Sequence, residues 1–114
     1  MTQEDKELLL KDLGARLRYG VICEIDLKPY KLKGINKHKK LWWFEFDGFR
    51  CLDGVKPYLR PRSSIASLIS AKEWSSLGGI ELIDWYNANH IDYRGLIEKG
   101  LAIEVTEENN LYKE

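Results

Sequence analysis

The sequence is short of the groups that hold small proteins together by covalent bonds or metal ions. Its two cysteines, Cys23 and Cys51, stand singly within apolar runs, which is neither a disulfide framework nor a zinc-ligand spacing. No apolar stretch approaches the ~18 residues of a membrane-spanning helix. The start, MTQEDKE, is acidic and polar where a signal peptide requires a basic segment and an apolar run. These absences point to a cytoplasmic protein with buried thiols and no membrane partner. Histidine is scarce as well. Neither His38, in a lysine-rich turn, nor His90, at a helix end, lies beside a Ser or Cys in a nucleophile elbow. An excess of positive charge is also missing, because 18 basic and 18 acidic residues cancel. Dedicated nucleic-acid binders are usually strongly basic.

What is present suits one small globular domain spanning residues 1–114. Hydrophobic content of 44% with 32% charged residues excludes a disordered chain. Four tryptophans are enough to dominate a small core. The charge is neutral in sum but uneven: residues 1–27 carry net −2, residues 28–62 net +7 and residues 63–114 net −5. A basic middle between acidic ends attracts an anionic partner, or is satisfied within the fold or between copies of the protein.

Thr2 with Asp5 predicts a helix cap, and Leu9, Leu10, Leu13 and Leu17 recur at helical spacing, so residues 3–17 read as an amphipathic helix ended by Gly20. Residues 21–27 alternate, with Val21, Cys23, Ile25 and Leu27 on one face. Residues 30–35 make a weaker strand, and 36–40, NKHKK, a polar turn. The strongest strand signal is 41–47, followed by the hairpin pair Asp47-Gly48, a returning strand at 49–52 and a second turn at Asp53-Gly54. A strand at 55–59 is expected at an edge because of Pro57. Ser70 with Glu73, and Ile69 with Trp74, predict a capped and stapled helix over 71–77. The next helix, 80–90, has Ile80, Leu82, Ile83 and Tyr86 as its apolar face, with Glu81, Asp84 and Ala88 opposite. Asp92 caps a short helix over 93–99 closed by Gly100, and 101–105 is a last strand. The tail, 106–114, is expected to fray.

The fold class is therefore α+β. An N-terminal helix packs on an antiparallel meander of four to five short strands, as a sheet or small rolled barrel, with two to three C-terminal helices and a final edge strand.

Three stretches together, LLLKDLGARLRYGV (8–21), VKPYLRPRSSI (55–65) and HIDYRGLIEKGLAIEV (90–105), resemble a family of small uncharacterised proteins of gut anaerobic bacteria and their phages and mobile elements. The resemblance spans residues 8–105. Relatives often carry Cys and Pro where this chain has Gly14 and Arg18, and a Thr-led acidic cap at Ala66 to Lys72. The resemblance implies a phage or mobile-element accessory setting and no particular activity.

Few residues of the chain could carry chemistry. His90 and Asp92 supply half of an acid–base pair, with no third member. Asp84, His90 and Asp92 lack the i, i+4 spacing of a helical ligand pair. The glycines of SLGGI (76–80) lack the lysine of a phosphate loop. No catalytic residue, metal or cofactor is expected. Arg94 is a candidate partner contact, otherwise pairing with Asp92 or Glu98. The candidate binding surface is Lys31, Lys33, Lys37, Lys39 and Lys40, with Trp43 beside them. Strand geometry puts Trp42, Phe44 and Phe46 on one face, read as core, and Leu41, Trp43 and Glu45 on the other. Trp43 is expected to be covered by a helix or exposed beside the lysines, with cover favoured. The functional expectation is a non-enzymatic module that binds an unidentified protein. The alternative is a nucleic-acid binder using the basic hairpin over 28–40.

Overall fold

A computed structural model describes residues 2–52 and 54–112. The first helix, α1 (Gln3–Arg16), starts on a complete capping box. The Thr2 hydroxyl accepts the Asp5 N–H at 3.1 Å, and the Asp5 carboxylate accepts the Thr2 N–H at 3.3 Å. It ends through a 3-10 turn, Leu17–Tyr19, and Gly20 at φ 69°. Leu9 and Leu13 are its buried apolar residues, and truncating either to Ala costs ~2–5 kcal/mol. Asp12 and Arg16 are buried on the same side, while Leu10 and Leu17 pack only partly against the core.

The chain then builds β1 (Ile22–Ile25) and β2 (Lys28–Lys31), joined by a two-residue turn with Asp26 at φ 50° and Leu27 at φ 67°. Positive φ at both positions gives the tight hairpin that matches strand twist. Leu27 thus leaves the inward-facing set expected for it and stands 88% exposed.

A second sheet follows: β3 (Gly34–His38), β4 (Leu41–Phe46) and β5 (Phe49–Cys51), antiparallel in the order β3-β4-β5. The five-residue turn expected at 36–40 shrinks to Lys39 and Lys40, with Lys39 at φ 58°. Asp47-Gly48 turns as expected, with Gly48 at φ 87°. Asp53 lies outside the described residues. The strand expected over 30–35 divides between the sheets. Leu32 N–H still bonds Val21 C=O at 3.0 Å in the first, while Lys33 N–H bonds Glu45 C=O at 2.8 Å in the second. The α+β class stands, with the strands divided between two sheets in place of one meander.

The strand β6 (Lys56–Leu59) returns to the first sheet, whose order is β2-β1-β6-β7, with β7 (Ile103–Glu104) parallel to β6. Pro57 does not confine β6 to an edge. The strand meets β1 through Lys56 and Pro57, and β7 through Tyr58 and Leu59, so the proline stands in an interior strand with its neighbours divided. The final strand takes the sheet edge, as expected.

Between β6 and β7 come α2 (Ile65–Leu68), α3 (Ala71–Ser75) and α4 (Gly79–Ala88). Ser70 caps α3, accepting the Glu73 N–H at 3.2 Å and donating to its carboxylate at 2.9 Å. The helix expected over 93–99 is instead a run of turns. Asp92 does cap it, accepting the N–H groups of Leu96 (2.9 Å) and Ile97 (3.0 Å). Gly100, at φ 75°, closes it: its N–H bonds Ile97 C=O, and Leu101 N–H bonds Leu96 C=O, the 5→2 and 6→1 pair of a Schellman motif.

One core lies among α1, the two sheets and the 92–102 turns: Leu9, Leu13, Val21, Cys23, Leu32, Phe44, Phe46, Val55, Leu59 and Leu96. The tail expected to fray is tied at Tyr112, whose hydroxyl accepts the Ile22 N–H at 2.8 Å and donates to Tyr58 C=O at 2.8 Å. Lys113 and Glu114 lie outside the described residues.

Candidate functional site

The β3–β4 hairpin tip and the first turns of α1 face each other across a cleft of about 380 Å³. One wall is Lys40, Leu41 and Trp42, the other Thr2, Gln3, Lys6, Glu7 and Leu10, with Leu52 between. Lys6 braces the cleft: its ammonium donates to Leu52 C=O and sits 5.6 Å from the Phe44 ring centre. Trp42 pairs with Lys37 across the strands, and the lysine Nζ lies 5.0 Å from the indole centre. A cation over an exposed indole contributes ~0.5–1 kcal/mol. Phe44 and Phe46 are core, as the alternation predicts, at 1% and 5% exposure. Trp42, on the same face but at the strand end, is 37% exposed, and Leu41 is 54% exposed. Trp42 is therefore corrected from core to cleft wall.

Trp43 occupies the opposite face and is half-buried. Its indole N–H donates to the Glu45 carboxylate at 3.2 Å, and the Arg50 guanidinium lies 5.4 Å from its ring. Asn36 pairs with it from β3. The residue is held by polar neighbours of its own sheet rather than by the helix cover expected for it.

The structure separates the predicted lysines. Lys31 stands in the first sheet with its stem against Gly20, where a Cβ would come 2.8 Å from Lys31 Cε. Lys33 lies near Glu45, Phe49 and Arg50, at the β4–β5 turn end of the second sheet. Lys37, Lys39 and Lys40 gather at the other end, with Lys37 roughly 13 Å along the strand from Lys33 and the turn lysines beyond it. Arg94 is elsewhere and engaged. Its Nε donates to Asp12 at 3.1 Å and its Nη2 to the Tyr93 hydroxyl at 3.0 Å. Neither expected partner is used, since Asp92 caps the turn and Asp12 supplies the carboxylate.

Asp12 is the centre of a buried cluster that sequence reasoning missed. Arg16 donates to both its oxygens, at 2.9 and 3.2 Å, and also to Tyr86 C=O (3.4 Å) and Ile91 C=O (2.5 Å). Tyr93 donates to Asn87 at 3.0 Å and stacks on Tyr86. This ties α1 to α4 and to the 92–102 turns. The available signal was the i, i+4 Asp12–Arg16 pair on the helix face that also carries Leu9 and Leu13.

His90 does not pair with Asp92. It is buried and stacked on Tyr112 with ring centres 3.8 Å apart, and its Nδ1 has no hydrogen-bond partner among the described residues. Burial, then the charges of Arg16 and Arg60, lower its pKa to about 3, so it stays neutral. Burial likewise pushes the Tyr112 hydroxyl and the Cys23 thiol well above their ordinary values. Asp84 lies apart, receiving the Tyr19 hydroxyl and standing 3.7 Å from Arg18. Among the described residues no three His, Cys, Asp or Glu side chains form a metal-binding group, and no helix is long and apolar enough to cross a membrane.

A second exposed apolar region lies on the helices. Ile65, Ala66, Ile69, Ala71 and Trp74 line a cleft of about 570 Å³ with Arg62 at its rim. Leu68 is 40% exposed, Ile83 44% and Ile80 88%. The apolar face expected for α4 is thus corrected: Tyr86 and Asn87 are buried, while Ile80 and Ile83 face water. No protein-family model, curated protein or solved structure matches the chain.

Proposed function

We propose that the chain is a non-enzymatic protein-interaction module whose contact surface is the β3–β4 hairpin tip with the first turns of α1. The observation that carries this reading is the combination at the tip. Leu41 and Trp42 are exposed apolar groups. They are ringed by Lys37, Lys39 and Lys40, which form no ion pair among the described residues. An exposed Trp with a lysine ammonium over its ring is the kind of group that dominates interface energetics. The phage- or mobile-element accessory setting rests on the family resemblance alone, and the cytoplasmic setting on the polar start and the two single cysteines of the sequence.

The alternative, nucleic-acid binding through the 28–40 region, draws on the Lys37–Trp42 contact. It is weakened by the dispersal of Lys31, Lys33 and the tip lysines, and by Glu45 on the outer face beside Trp43. A photo-crosslinking side chain at Leu41, with a control at exposed Lys28, tests the reading in cells. Protein adducts from position 41 alone are expected, and Trp42→Ala should abolish them by weakening the contact by ~2 kcal/mol or more. Nuclease-sensitive adducts would transfer the surface to the alternative. No adduct, or equal adducts from both positions, would overturn the proposal.

A further inference from the structure

The charge asymmetry of the chain survives folding. The ion pairs among the described residues are Arg16–Asp12, Arg94–Asp12 and Arg18–Asp84, and none draws on a basic residue of 28–62. The positive middle therefore forms no ion pair among the described residues, although Glu7 of α1 lines the cleft with Lys40. Helix α1 fixes where the two signs lie. Its N-terminal turns face the basic hairpin tip. Its C-terminal end meets α4, through Arg16 on Tyr86 C=O, and the 3-10 turn that follows it through Tyr19 on Asp84. The 14 residues of α1 set these two ends about 21 Å apart.

The α4 end carries the complement of the hairpin tip. Ile80 and Ile83 project apolar surface to water. Glu81 lies beside them on α4 and Glu73 on α3, both exposed, with Lys72 the basic residue of the two helices. Asp84 is already occupied by Tyr19 and Arg18. At the other end Leu41 and Trp42 stand among Lys37, Lys39 and Lys40. The exposed lysines of the tip suit the exposed carboxylates of Glu73 and Glu81, and both ends offer apolar surface.

We infer that the occupant of the hairpin surface is a second copy of this chain, the basic tip of one copy docking on the acidic, isoleucine-bearing α4 face of the next. This rests on the reading of the hairpin as a contact surface and names its partner. The contact is heterologous, because the two faces differ, so it propagates into a ring or an open chain of copies. Steering by unlike charges makes it salt-sensitive.

Sedimentation velocity on the purified full chain tests it. Mass above one copy should grow with concentration at low ionic strength and fall back at high ionic strength. Lys37→Glu/Lys39→Glu/Lys40→Glu and Glu73→Lys/Glu81→Lys should each be single copies, with affinity reduced roughly tenfold or more. Mixing them should restore assembly, since every tip then finds an α4 face of opposite sign. Folding of each variant is read from its circular dichroism. A single-copy mass at every concentration at low salt would overturn the inference, as would association that neither variant weakens. If the chain sediments as one copy while position 41 still crosslinks to another protein, the interaction reading stands and only the second copy is excluded.

Discussion

At one end of α1, arginine and aspartate are wholly buried; at the other, lysines stand in water. Asp12 and Arg16 have no exposed surface, and every polar group of theirs reaches a partner on α4, at Ile91, in the 92–102 turns or on each other. Lys37, Lys39 and Lys40 reach no carboxylate among the described residues and lie beside exposed apolar groups instead. Charge of the first kind belongs to the fold, because removing one partner strands the others in a low dielectric. Charge of the second kind is free to meet another molecule. Location and partners separate a structural ion from a functional one; residue type does not.

The largest effect should come from breaking the buried end. Asp12→Ala leaves two guanidiniums without their carboxylate and is expected to cost ~3–5 kcal/mol, read from urea unfolding. A loss below ~1 kcal/mol would mean that the cluster is not the structural anchor described. His90 gives the next effect, through pH. Its folded pKa, about 3, lies below the ordinary value of 6.5, so the unfolded chain binds the proton more tightly. The stability tied to neutral His90 is complete above ~6.5 and is lost as pH falls toward 3, at up to ~1.4 kcal/mol per pH unit. His90→Asn, which also tolerates the residue's φ of 57°, should flatten the slope of stability between pH 7 and 5. An unchanged slope would place the titration elsewhere.

Two smaller effects sharpen the contrast. Leu27 is exposed at φ 67°, a conformation costly for a branched side chain. Leu27→Gly should raise stability by ~0.5–1 kcal/mol in the same unfolding assay, and a loss would contradict the turn geometry. Reversing Lys37, Lys39 and Lys40 to Glu should lower stability by no more than ~1 kcal/mol, because the Lys37–Trp42 contact is lost and no ion pair among the described residues depends on them. A large loss there would make those lysines structural after all.

Much of the local structure was legible in the sequence, because caps and turns are set by neighbouring residues. Thr2 with Asp5, Ser70 with Glu73, Asp47-Gly48, and Asp92 with Gly100 all act as their chemistry predicts. Alternation also placed Phe44 and Phe46 inward. It tells which way a side chain faces, however, not which strand lies beside it. The division into two sheets at Leu32 and Lys33 therefore left no trace. Ile80 and Ile83 misled because a helical stripe does not reveal which of its residues the rest of the chain reaches. Asp12, Arg16 and Arg94 were hidden because charged residues in a helix are usually solvated, and their partners lie far along the chain. The candidate surface was legible as lysines and tryptophans. It was not legible that Trp42 rather than Trp43 stands with the tip lysines, since that depends on where along the strand the core ends.

The central claim, that the unpaired charges at the hairpin tip are a contact for another copy, is tested most directly by sedimentation of the two charge-reversed variants separately and mixed. Each variant alone should sediment with a single-copy mass, and the mixture with a larger mass at low ionic strength. A single-copy mass in the mixture would contradict it.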